Sequence, residues 1–266
     1  MEKQNILNVV PRRTEIIGVP ISVVNMEDCL QFVSQNFEAI RGEYICASNV
    51  HTTVMAHEDS RYMKVQSESI LSIPDGKPLS VVGRKNGYLE MDKVTGTHFM
   101  QNTFTDSRFQ GRRHYFYGTS DKTLNQMIMK VKQDYPNLCI CGYEPSVFRE
   151  LAEIELEELA RRINQSEADF VWVALGAPRQ ELLMNRLKGK VNSLMIGVGG
   201  AFNILAGIVK DAPMWMQNAG LEWLYRLCNE PKRLFKRYFV TNSKFIYYLV
   251  TTKGQDSNET KSINGT

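Results

Sequence analysis

Residues 169–181 read DFVWVALGAPRQE: a run of β-branched and aromatic side chains closes at Gly176 and passes through Pro178 into the polar Arg179-Gln180-Glu181. An apolar run bounded by turn residues reads as a strand. A glycine for the tight turn and a proline suited to the first helical turn then start a helix. Similar runs recur outward from this stretch, at 44–48 (YICAS), 69–74 (SILSIP), 113–118 (RHYFYG), 138–143 (LCICGY) and 193–199 (SLMIGVG). Segments of helical period separate them. Met26 to Ile40 follows Asn25 as a cap, Asp121 to Asp134 follows Ser120, and Phe148 to Asn164 is rich in Glu before Arg161 and Arg162, as a helix dipole favours. Strands alternating with helices predict an α/β fold with a Rossmann-like, mostly parallel sheet flanked by helices. The opening EIIGVPISVV, at 15–24, reads as a hairpin or edge pair outside the parallel core.

The 266 residues are 43% hydrophobic and 23% charged, a globular composition. A net charge of +3 is too small for a protein that coats its surface in nucleic acid. The charge is concentrated, however. Between Arg226 and Lys253 seven basic residues face one acid, Glu230, interleaved with aromatics such as Trp223, Tyr225, Phe235 and Tyr238. The composition changes after about Gly207, so the expected organisation is an α/β catalytic core over 1–207, a basic, aromatic helical appendage over 208–253, and a disordered polar tail over 254–266. Five scattered cysteines do not form a disulfide framework, which favours a reducing compartment. The first residues, MEKQNILNVVPRRTEII, do not read as a signal peptide, and the longest apolar stretch, Leu194 to Val209, holds Asn203 and four glycines. A cytosolic protein is expected.

Ligands of an open parallel sheet collect beyond the carboxyl ends of its strands. Three ends carry polar residues: Asn49 and His51 after YICAS, Pro74-Asp75-Gly76 after SILSIP, and Gly176 to Glu181. Asp75 is the best placed general base, because a strand-end loop can desolvate a carboxylate and set it against a hydroxyl, although Pro-Asp-Gly is also an ordinary turn. Asn49 could hold a sugar or amide, yet Asn before a helix is a common cap. Gln180 and Glu181 at a helix start suit an anion or sugar. Gly197-Val-Gly199-Gly200-Ala-Phe202 brings backbone close to a ligand and resembles a dinucleotide fingerprint, with Phe202 where the third glycine belongs.

Metal and nucleophile chemistry find little support. There is no Asp-x-Asp pair, Cys139 and Cys141 have no second thiol pair, the histidines at 51, 57, 98 and 114 lack ligand spacing, and no G-x-S-x-G elbow occurs. The segment from Gly220, with Arg226, Arg233 and Arg237 among apolar residues at helical spacing, can be a solvated face, a phosphate-binding lid or a membrane-surface helix. Mixed aromatics and cations favour the membrane surface over nucleic acid.

Taken together, Asn49, Pro74-Asp75-Gly76, Lys93-Val94-x-Gly96, Gly176-x-Pro178-x-Gln180-Glu181, Gly197-x-Gly199-Gly200-Ala-Phe202 and the long motif from Ala212-Pro213 through Gly220-Leu-Glu-Trp223, Arg226, Glu230-Pro231 and Arg233 to Arg237-Tyr238 resemble the WecG/TagA/CpsF glycosyltransferases, glycosyltransferase family 26. The resemblance runs from about Glu15 to Val250. It implies an inverting, metal-independent enzyme without a cofactor, moving a sugar such as N-acetylmannosamine from a UDP-sugar to a polyprenyl-diphosphate-linked sugar at the inner leaflet of the cell membrane. Cell-surface polysaccharide synthesis would be the setting, and a homo-oligomer is left open. The resemblance further implies that Asp75 is the base, that Asn49, Lys93, Gln180 and Gly199 bind substrate, and that Arg226, Arg233 and Arg237 close over the diphosphate. With no ion, cationic side chains would have to stabilise that leaving group. Three positions depart from the family pattern: Lys93 replaces an Arg, His98 an Asp, and Ala47 a hydroxyl residue; these bear on which sugar is moved rather than on the reaction class. The competing readings are a dinucleotide-dependent oxidoreductase built on Gly197 to Phe202 and a membrane or nucleic-acid adaptor acting through 226–253.

Overall fold

The structure, a computed structural model, describes residues 9–263, with the side chains of Asn218, Arg233 and residues 252–263 outside that description. The expected opening hairpin is present: β1 (Arg13–Ile16) and β2 (Val19–Ser22) pair antiparallel. Ile17 and Gly18 both take positive φ, 50° and 74°, the two-residue turn whose twist matches that of the strands it joins. In α1 (Met26–Asn36) the Asn25 and Asp28 side chains each accept the other's backbone N–H, a reciprocal cap.

The remainder of the core alternates strand and helix: β3 (Tyr44–Ser48), α2 (Val50–Glu58), α3 (Ser60–Ser67), β4 (Leu71–Pro74), α4 (Lys77–Lys85), α5 (Gly96–Thr105), β5 (Arg113–Gly118), α6 (Asp121–Asp134), β6 (Cys139–Glu144), α7 (Glu153–Gln165), β7 (Phe170–Ala174), α8 (Arg179–Leu187), β8 (Leu194–Gly197) and α9 (Ala201–Leu205). Strands β3 to β8 form one sheet in the order β4-β3-β8-β7-β5-β6, parallel throughout. The alternation along β7 shows why the sheet is covered on both faces. Phe170, Trp172 and Ala174 enter one core with α1, α5, α6 and α9, while Val171 and Val173 enter another with α3, α7 and α8. Trp172 is fully buried, and its indole N–H donates to His114 Nδ1 at 3.0 Å. Burial pushes His114 down to about 3, so it sits there neutral.

Several expected boundaries move: α1 stops at Asn36 rather than Ile40, with turns carrying the chain on to Gly42, and strand ends shift by one or two residues. Strand β4 starts at Leu71, because Ser69 closes the end of α3 by donating to the Gln66 carbonyl. Helix α7 starts at Glu153 rather than Phe148, whose φ of 54° is incompatible with a right-handed helix; the first turn is organised instead by Glu155, which accepts the Ala152 N–H.

After Gly207 come α10 (Met214–Asn218), α11 (Glu222–Asn229) and α12 (Pro231–Ile263). Helix α12 lies across α2 and buries Phe245 in a third cluster with the hairpin, α2 and α4. Its backbone span reaches through most of the 254–266 segment expected to lack regular structure. Among the described residues no helix is long and apolar enough to cross a membrane.

Candidate active site

The sheet order sets the carboxyl ends of β4, β3, β8 and β7 side by side, and the loops leaving them carry Asp75, Asn49, Gly199 and Gly176. A cavity of about 810 Å³ opens there, walled on its other side by α11 and α12. Asn49, Asp75, Gln180, Gly199, Arg226 and Arg237 all line it. Helices α4 and α8 start at this wall without a side-chain cap, and each turns the positive end of its dipole toward the cavity, although Pro78 has no N–H and that of Gln180 bonds the Gly176 carbonyl.

Asp75 is held at the cavity by its backbone. Its N–H donates to the Ser48 carbonyl at 2.7 Å, and Val94 donates to the Pro74 carbonyl at 2.9 Å. Gly76 adopts φ 114°, a conformation that favours glycine, which is the local reason for the Pro-Asp-Gly sequence. The protein packed around the carboxyl pushes Asp75 up to about 6, offset most by the charge of Arg226, with Glu222 raising it and Lys93 and His98 lowering it. Such a carboxylate is mostly ionised at neutral pH yet a stronger base than an ordinary Asp.

Asn49 fulfils the cap reading and still faces the cavity: its Oδ1 accepts from the His51 and Thr52 N–H groups at 3.0 and 3.2 Å, and its Nδ2 has no partner among the described residues. Gln180 differs from expectation. Its Oε1 collects the N–H groups of Gly176 (3.2 Å) and Gly199 (3.0 Å), and its Nε2 donates to Glu181 at 2.8 Å, so the amide is consumed in fastening two turns. Gly199 has thereby spent its own N–H. Lys93 is also committed: its ammonium meets Glu222 of α11 at 2.8 Å, with both side chains largely buried, and it is not part of the cavity lining. Its ammonium ties the core to the appendage.

On the appendage side, Arg226 is exposed at the cavity, without an ion-pair partner among the described residues. Arg237 Nε is buried and unpartnered, and so is His51 Nδ1 opposite it on α2. Burial, and then the charge of Arg237, lower the His51 pKa. Buried polar atoms without protein partners need one, and these two lie on residues that line the cavity, where a ligand's polar groups have access. The Arg233 side chain lies outside the described residues. The sequence places His51 with Asn49 at the end of YICAS but assigns it no role; its position in the first turn of a helix leaving a strand end is the local signal for one. The Lys93–Glu222 pair, 129 positions apart, had no local signal.

The dinucleotide reading of Gly197 to Phe202 is not supported. Gly199 N–H is engaged by Gln180, Phe202 is buried in the core, and α9 has only five residues. The model of the glycosyl transferase WecG/TagA/CpsF family matches residues 14–259, spanning both walls of the cavity. The chain belongs to this family. It is therefore a glycosyltransferase, which leaves the oxidoreductase and adaptor readings without support. Two N-acetylglucosaminyldiphosphoundecaprenol N-acetyl-beta-D-mannosaminyltransferases are similar to it. That of Bacillus spizizenii is 29% identical over 73% of this chain and 74% of the relative; that of Bacillus subtilis is 27% identical over 83% and 86%.

Proposed function

We propose that the protein transfers a hexosyl group, N-acetylmannosamine or a close relative, from a UDP-sugar to a lipid-diphosphate-linked N-acetylglucosamine in cell-surface polymer synthesis, by a single inverting displacement. The observation that carries this reading is the buried-side Asp75 carboxylate facing unpaired appendage cations across one cavity. Asp75 takes the proton of the acceptor hydroxyl while that oxygen bonds to the anomeric carbon. The bond from that carbon to the diphosphate breaks on the opposite face, and UDP leaves with its electron pair. Arg226, Arg237 and the uncapped starts of α4 and α8 supply positive potential where the departing charge grows, and His51 offers its free nitrogen to the same region. No metal ion has a part in this scheme.

The names of the two relatives support the acceptor class. The spacing of exposed Phe235, Phe239, Ile246 and Val250 supports a membrane-surface role for α12, because steps of four, seven and four residues put them on one helical stripe. The test is transfer from UDP-N-acetylmannosamine to a soluble lipid-diphosphate N-acetylglucosamine analogue, with and without EDTA. Turnover that survives EDTA and gives a product of inverted anomeric configuration is expected. Loss of turnover that manganese or magnesium restores contradicts the metal-free scheme, and no turnover with any UDP-sugar contradicts the donor class.

A further inference from the structure

We infer that Glu181 is a positioning residue for the transfer proposed above: from beneath the cavity it fixes which way round the Gln180 amide sits, and so holds the Gly176 and Gly199 turns at one spacing. What each atom can donate or accept sets the orientation of the amide. The N–H groups of Gly176 and Gly199 only donate, so the end of the amide that meets them must be its oxygen. The amide nitrogen then points away and needs an acceptor. Glu181 Oε1 supplies one at 2.8 Å.

Gln180 and Glu181 both border the cavity, but on the side of Gly197 the amide is closely packed. A Cβ at Gly197 would come within 2.9 Å of both Gln180 Nε2 and Met184 Cε, so protein packs tightly around the amide. Gln180 and Glu181 are 4% and 1% exposed. Without the Glu181 acceptor, Gln180 Nε2 would lose the protein acceptor it has among the described residues, and the two turns would lose the oxygen held in place to gather them.

The far side of Glu181 faces Tyr62. Its Oε2 and the Tyr62 hydroxyl are both buried and close enough to interact, yet neither completes a hydrogen bond of good geometry. The titratable groups facing it are Tyr62 on α3 and Cys46 on β3, neither of them positive. Burial pushes the Glu181 carboxyl up to about 7. Near neutral pH both forms are populated: in either, Oε1 accepts from Gln180, while Oε2 accepts the Tyr62 proton as the carboxylate or donates its own as the neutral acid. Glutamine at this position reproduces that pattern, with its carbonyl toward Gln180 and its N–H₂ toward Tyr62; leucine keeps the bulk and removes the acceptor.

The experiment uses the full chain and two readouts, amide hydrogen exchange of peptides covering 175–182 and 197–203, and transfer kinetics. Glu181→Leu is expected to speed exchange at both turns at least tenfold and to lower kcat by at least tenfold. Glu181→Gln is expected to stay within about threefold of wild type in both. Wild-type exchange in Glu181→Leu overturns the inference, and so does a Glu181→Gln variant as damaged as Glu181→Leu. Should Glu181→Leu not fold, a swap avoids the lost acceptor. Gln180→Glu alone sets two carboxyls face to face and should lose protection as pH rises past neutrality; adding Glu181→Gln restores a donor–acceptor pair and should regain it. No regain overturns the inference. Exchange is read without substrate, so failure of the UDP-sugar reading shows as absent turnover in wild type with this exchange pattern intact.

Discussion

The two walls of the cavity are built on different principles. The sheet wall is fastened by backbone: Asp75 by Ser48, Asn49 by its own helix start, Gly176 and Gly199 by Gln180, all over apolar clusters that are close to fully buried. The appendage wall is held by a handful of side-chain ties. Among the described residues they include Lys93 to Glu222 at 2.8 Å, His98 to Asp211 at 3.5 Å, Lys244 and Tyr248 to Glu58 at 2.7 and 2.8 Å, and the packing of Phe245. The first wall places a base with little freedom. The second brings cations whose polar atoms stay unpaired, an arrangement that suits a group required only when donor diphosphate is present.

If this division is right, damage to each wall should look different. Asp75→Asn should cost most, lowering turnover by ~10²–10⁴ with the fold and donor affinity kept, because only the proton acceptor is lost. Near-normal turnover in that variant would reduce Pro-Asp-Gly to a turn. Arg237→Ala should follow, at about 10²-fold in kcat with a soluble acceptor, as expected for one donor to a developing oxyanion. An effect confined to vesicle binding would move Arg237 from the leaving group to the membrane surface. Smaller again is the tie between the walls. Lys93→Glu or Glu222→Lys alone leaves a largely buried charge facing its like and should cost about tenfold in turnover. The two together should recover most of it. Single variants that behave as wild type would show that the appendage docks without this pair.

The sheet wall was the more legible of the two in the sequence, for a physical reason. Strand ends, glycine turns and helix caps are decided within a few residues, so DFVWVALGAPRQE, Pro74-Asp75-Gly76 and Asn49 could be read where they stand. The start of α7 was misread because Glu-rich periodicity runs on through Phe148, whose positive φ is imposed by the loop it belongs to. The partners of Lys93 and Gln180 escaped because they depend on tertiary contacts. An amide at a helix start looks like a ligand contact until the two glycines that occupy it are in view, and Glu222 meets Lys93 only once α11 has folded back over the sheet.

The account's central claim is that a base belonging to the sheet is tuned by charges belonging to the appendage. The acid limb of the rate profile tests it most directly. Asp75 must be ionised to accept a proton, so kcat/KM in wild type should fall as pH drops through about 6. Arg226 is the largest of the groups holding Asp75 down, so Arg226→Ala should move that limb to higher pH, whereas Glu222→Gln removes a group that raises it and should move the limb to lower pH. Opposite displacements in the two variants are the predicted result. A limb that stays at the same pH in both would contradict the account, because it would mean that the group titrating in the rate does not feel the appendage at all.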